Sequence, residues 1–119
     1  MKKLLIAVVG SVLAGVALTA AGVPLASAPQ DAKLVATGRT LFDANKCTKC
    51  HLAENRGNKN GQKLDGISAK VTADDVRKWI TTPVQMTAKL PEKPEQPMKK
   101  IDLKPAEVDA LVAYVMSLK

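Results

Sequence analysis

Large side chains are scarce in this chain of 119 residues: one tryptophan, one tyrosine and one phenylalanine are its only aromatics, 3% of the whole. That length provides for one domain, and with so few rings the domain lacks the bulk that normally fills a core. Histidine occurs once, which excludes any site built from two imidazoles of this chain. No run of lysine and arginine exceeds two residues, and nucleic-acid binding is set aside as a use of the positive charge. No stretch alternates apolar and polar residues between hairpin turns, and no internal repeat is present. These absences leave an all-α domain whose interior must be completed by something other than its own aromatics.

Charge is also missing from one end. After Lys2 and Lys3 no charged residue appears until Asp31, and the run between is apolar with small residues near its close. This is the pattern of an export signal. Residues 1–28 therefore read as a signal peptide or an N-terminal membrane anchor, since the uncharged run is long enough to cross a bilayer. Ala26-Ser27-Ala28 has the small-x-small form of a cleavage site, but Pro29 would follow it directly, and Ala21 and Gly22 mark alternative sites. Either way the body, residues 31–119, is expected outside the cytoplasm, periplasmic and either soluble or anchored. Without Lys2 and Lys3, sixteen basic residues face eleven acidic ones, leaving the body at about +5.

Three helices are expected in the body. Leu34, Val35, Leu41 and Phe42 recur at helical spacing between Asp31 and Lys46, with Gly38 four residues before Phe42. A glycine inside a helix costs about 1 kcal/mol relative to alanine, so its presence points to a close helix crossing. At Thr72 a capping box with Asp75 and a staple between Val71 and Val76 predict a second helix that turns Trp79 and Ile80 inward and ends at Pro83. The third begins with Pro105 and aligns Val108, Leu111, Val112, Val115 and Leu118 on one face, although Lys104 is a poor N-cap. Residues 54–70 read as a polar loop from which only Leu64 and Ile67 can tuck inward. Residues 83–97 carry four of the seven prolines and read as extended, stiff and without regular structure.

Both cysteines and the histidine fall within five consecutive positions, Cys47-Thr48-Lys49-Cys50-His51. A structural zinc site would need a fourth ligand, for which only carboxylates remain. A thioredoxin-type dithiol expects its CxxC in a βαβ setting that this chain does not offer. The remaining chemistry is covalent haem attachment: two thiols add to the two vinyl groups, and the adjacent imidazole is placed beneath the iron. It suits an exported protein, and one large apolar macrocycle makes good the missing core.

With His51 the sole histidine, the sixth iron position belongs to methionine, to another donor or to nothing. Met116 falls on the last helix beside its packing face and reads as core. Met86 and Met98 both lie in the proline-rich segment, and Met98 is preferred because it follows Pro97 and stands just before the stretch leading into the last helix. A thioether there favours ferrous iron.

Taken together, the first helix running into CxxCH, the middle helix, the Met98 loop and the closing "EVDALVAYVMSL" resemble the small monohaem class I c-type cytochromes from about Lys33 to Lys119. The resemblance implies a small cytochrome c-like helical fold wrapped around one covalent haem c, held by Cys47 and Cys50 with His51 and Met98 on the iron. It implies that Gly38 and Phe42 pack against Tyr114 of the last helix at a near-perpendicular crossing, and that Trp79 lies near the haem edge or a propionate. One departure stands out: where the family often carries Gly-Pro-x-Leu after CxxCH, this chain has Gly61-Gln62-Lys63-Leu64, so the carbonyl that accepts from the proximal histidine would be that of Gln62.

The expected function is one-electron transfer rather than enzymatic turnover. Lys46, Lys49, Lys89, Lys93, Lys99 and Lys100 would guide the carrier to redox partner proteins with acidic docking surfaces. Two alternatives stand beside it: a membrane-tethered or complex-bound redox subunit, and a haem enzyme or ligand sensor with an open sixth position.

Overall fold

Helix α1 (Ala28–Ala44) opens the part of the chain described by the computed structural model, residues 28–119. The expected signal or anchor falls outside the described residues, apart from the final Ala28. Helix α1 is closed by Lys46, whose backbone is left-handed at φ 57° and turns the chain sharply into Cys47. The first helix is thus shorter at its C-terminal end than the apolar spacing predicts. After a 3₁₀ turn at Cys47–Lys49 come three very short strands, β1 (His51–Ala53), β2 (Arg56–Gly57) and β3 (Gln62–Lys63).

The sheet order is β2-β1-β3, with β1 antiparallel to β2 and parallel to β3. The sequence reading contains no strand, and the reason is length: elements of two or three residues are too short for any period to show. They clip the polar loop into shape and leave the fold class all-α. The turn between β1 and β2 places both Glu54 and Asn55 at positive φ, the backbone of a type I′ hairpin.

Helix α2 (Ala73–Thr81) starts as the sequence predicts. Asp75 N–H donates to Thr72 Oγ1 at 3.1 Å, while Thr72 N–H donates back to the Asp75 carboxylate at 3.0 Å. These bonds to Thr72 hold the Asp75 carboxyl below its ordinary value of 3.8. A depressed folded-state value means that this stabilisation is present above about pH 4 and is lost as pH falls below it. Thr72→Ala should therefore lower stability by ~1 kcal/mol at pH 7, and the deficit should shrink below pH 4, as read by urea titrations at the two pH values.

From Pro83 the structure departs from the expected extended loop. Residues Pro83–Ala88 form a further helix, α3, and only the stretch beyond it lacks regular structure. A proline that cannot continue one helix is well suited to begin the next, since its φ is already helical and its missing N–H would have been unpaired there. Thr82, at φ −134° and ψ 53°, is the break between α2 and α3.

Helix α4 (Pro105–Ser117) compensates for its poor cap through Glu107, whose carboxylate accepts from Lys104 N–H at 2.7 Å. Its predicted face is buried: Val108, Leu111, Val112, Val115 and Leu118 join Phe42, Val76 and Ile80 in one apolar cluster. Helices α1 and α4 cross at Gly38, where an added Cβ would collide with the Ala110 carbonyl and come within 2.7 Å of Tyr114 Cβ. Beside that crossing Phe42 and Tyr114 meet edge to face, ring centroids 5.3 Å apart and planes at 63°.

Candidate functional site

The left-handed residue Lys46 and the 3₁₀ turn after it bring Cys47, Cys50 and His51 to one side of a cavity of about 1760 Å³. That volume exceeds the ~300–1,000 Å³ of ordinary small-molecule pockets. Apolar lining comes from every helix: Phe42 of α1, Val76, Trp79 and Ile80 of α2, Val84 of α3, Leu111 and Val115 of α4. Leu64 and Ile67, the two residues of the polar loop able to turn inward, line it as well and pack against the core. Trp79 is half-buried at this wall.

Among the methionines the structure discriminates. Met98 lines the cavity and packs against the apolar cluster, whereas Met86, half-buried on α3, is not part of the lining, and Met116 packs against the core from α4. Met98, favoured by its place after Pro97, thus also meets the spatial requirement of standing on the wall.

His51 is the most constrained member. Strand pairing sets it opposite Gln62, and its Nδ1 is enclosed without a hydrogen-bond partner. Burial pushes the imidazole below its ordinary value, while the nearby Gln62 backbone carbonyl opposes that shift without completing a bond of good geometry. A neutral imidazole is the form that ligates metal. The Gln62 carbonyl expected from the sequence is therefore the one beside the ring. Gly61 makes this approach feasible, since a Cβ there would run into the Cys50 backbone. Burial raises the Cys47 thiol above its ordinary value, while Cys50 is exposed.

Behind this segment lies a polar network that sequence reasoning did not foresee. Arg56 bridges Asp43 of α1 at 2.7 Å, Glu54 at 3.2 Å and the Tyr114 hydroxyl of α4 at 3.1 Å. Glu54 also receives Arg39 at 3.1 Å and the Tyr114 hydroxyl at 3.0 Å, and its own N–H donates to Asp65 at 2.8 Å. These bonds offset the cost of a left-handed glutamate and tie the hairpin after His51 to the α1–α4 crossing. The bonds from Arg56 to Asp43 and from Arg56 and Glu54 to Tyr114 join partners 13 to 60 residues apart, so no local spacing announces them.

Five exposed lysines line the cavity: Lys46, Lys49, Lys93, Lys99 and Lys100; Lys89, named with them from sequence, does not. Glu92 and Glu95 share the rim. No group of three or more potential metal-binding histidine, cysteine or acidic side chains exists among the described residues. A large cavity with apolar walls, two thiols and an imidazole on one side and a thioether also on its wall fits a flat apolar cofactor carrying its own metal. The family model described as cytochrome c matches residues 35–119 of the chain. No curated protein and no solved structure gives a match.

Proposed function

The chain belongs to the cytochrome c family, whose members bind haem c covalently and serve in electron transfer, and on that premise we propose that it is an exported monohaem electron carrier. Cys47 and Cys50 would each add their S–H across one vinyl group to form a thioether, and His51 would supply one axial nitrogen. Met98 would supply the other axial donor. The observation that carries this reading is the placement of all four residues on one large apolar-walled cavity.

Haem held in this way supplies a one-electron ferric/ferrous couple. The chain's own residues do the rest. The Gln62 carbonyl would orient the His51 ring by accepting its N–H in the loaded protein, the apolar walls exclude water and disfavour the more charged ferric state, and the Met98 thioether would favour ferrous iron. With His51 and Met98 both holding the iron, no coordination site would be left for a substrate. Among the described residues no arginine, and no histidine besides His51, lines the cavity to act as a distal acid or base. The family's members are generally carriers and not enzymes, and this lining supports the same role here.

The five rim lysines against two glutamates give the mouth an excess of positive charge. Redox partners with acidic surfaces would be drawn to it, with association rates that fall as salt rises. Export rests on the basic start and apolar run of residues 1–28. No helix of the described residues is long and apolar enough to cross a membrane.

Expression of the full chain in an exporting host with haem-ligation machinery tests the proposal. The recovered protein should be coloured and heavier than the bare polypeptide by one haem, and Cys47→Ser with Cys50→Ser should remove both the colour and the added mass. A colourless helical product from the unaltered chain would sink the proposal. Release of the coloured protein by osmotic shock separates a soluble carrier from a tethered one.

A further inference from the structure

Asn58 gathers the hydrogen bonds of the CxxCH segment. Its backbone N–H is shared between the Thr48 carbonyl at 2.9 Å and the His51 carbonyl at 3.3 Å, and its side-chain Nδ2 donates to the Lys49 carbonyl at 3.2 Å. Three of the four carbonyls from Thr48 to His51 therefore converge on one residue. Asn58 also shapes the chain that follows it. Its Oδ1 accepts from Asn60 N–H at 3.0 Å in an Asx turn, and its carbonyl accepts from Gly61 N–H at 3.0 Å. That turn leads directly into Gln62, whose carbonyl stands beside the His51 ring.

Gly57 lets this residue come so close. Its φ of 106° lies in the region that favours glycine, and a Cβ there would collide with the His51 carbonyl oxygen and come within 2.8 Å of that of Thr48. Within the attachment turn Lys49 N–H donates to Lys46 and Cys50 N–H to Cys47, at 3.0 and 3.2 Å. Such bonds join residues three apart and close the turn, but they do not fix how it sits against the rest of the chain. Thr48 and Lys49 stand between the two thiols and His51 follows at once, so a hold on their carbonyls is a hold on the whole triad.

We infer that Asn58 is a positioning residue: by clasping the Thr48, Lys49 and His51 carbonyls it sets the attachment turn and, through it, the plane of the His51 ring against the iron. The bond from Nδ2 to Lys49 is the part that requires an amide, since the backbone bonds are open to other residues. The inference rests on the haem reading and names a residue for which neither the CxxCH motif nor the methionine spacing gives any signal. Asn58→Asp keeps the shape and the acceptor for Asn60 but removes the donor; Asn58→Ala removes both. Asn58 is exposed, so neither change opens a hole in the core.

Proton spectra of the ferric holoprotein read the plane of the axial imidazole through the paramagnetically shifted haem methyl signals, and the near-infrared sulfur-to-iron band reads Met98 in the same samples. Asn58→Asp and Asn58→Ala should both displace the methyl signals while the sulfur-to-iron band stays in place. Lys59→Gln makes the same change in charge next to Asn58 without removing any of these bonds, and it should leave the methyl signals where they are. Unmoved methyl signals in Asn58→Asp would overturn the inference, and movement in Asn58→Ala alone would do so by transferring the role to the Asx turn. Equal movement in Lys59→Gln would reduce the effect to charge, and loss of the sulfur-to-iron band would place it on the Met98 side; either result would also overturn it. Failure of the unaltered chain to acquire haem would instead remove the underlying reading, and mass alone distinguishes that result.

Discussion

Gly38→Ala should lower the stability of the fold by about 3 kcal/mol or more. The added methyl has no room: its carbon would overlap the Ala110 carbonyl and crowd Tyr114 Cβ at 2.7 Å, and both atoms belong to a buried stretch of α4 that cannot give way singly. Relief requires the helices to separate, which opens the Phe42–Tyr114 contact and loosens the anchorage of Arg56 to the Tyr114 hydroxyl. Overpacking a well-filled core costs about 1–3 kcal/mol and occasionally more, and a clash with backbone belongs at the upper end. Against a total stability of ~5–15 kcal/mol, a loss of about 3 kcal/mol or more falls heavily on so small a domain. Urea titration followed by far-ultraviolet circular dichroism measures it. A loss below ~1 kcal/mol would mean that the helices do not cross at this residue.

Met98→Ala should eliminate the weak near-infrared band of the ferric holoprotein and lower its midpoint potential, because a soft donor that favours ferrous iron is lost. Met86→Ala should do neither, since Met86 does not line the cavity. The pair is decisive in either direction: disappearance of the band in Met86→Ala with its survival in Met98→Ala would transfer the axial role to α3. Covalent attachment through Cys47 and Cys50 is expected to survive both substitutions, so the coloured protein can be recovered for measurement.

Much of the architecture was legible because it is written locally. The Thr72–Asp75 capping box and the apolar face of α4 involve partners within a few residues, where backbone geometry alone sets the distances. Gly38 was legible for another reason: its cost inside a helix is explained only by a close neighbour, and the structure supplies Ala110 and Tyr114. Helix α3 was missed because Pro83 was read as a terminator, although a proline also suits a first helical position. The short strands left no trace because two residues cannot display a period. Nor could spacing reveal that Met98 lies on the cavity wall while Met86 does not, since both lie in the same proline-rich stretch.

By itself the chain of residues determined the helix class, the CxxCH triad and the family likeness, because each depends on contacts or bonds made within a few positions. Tertiary structure alone decided that Met98 and not Met86 lines the cavity, how Arg56 locks the hairpin to the helix crossing, and that Thr87 is buried with its hydroxyl unspent. The physical reason is distance along the chain. Where partners lie tens of residues apart, their meeting is fixed by how the helices pack, and no local pattern encodes it.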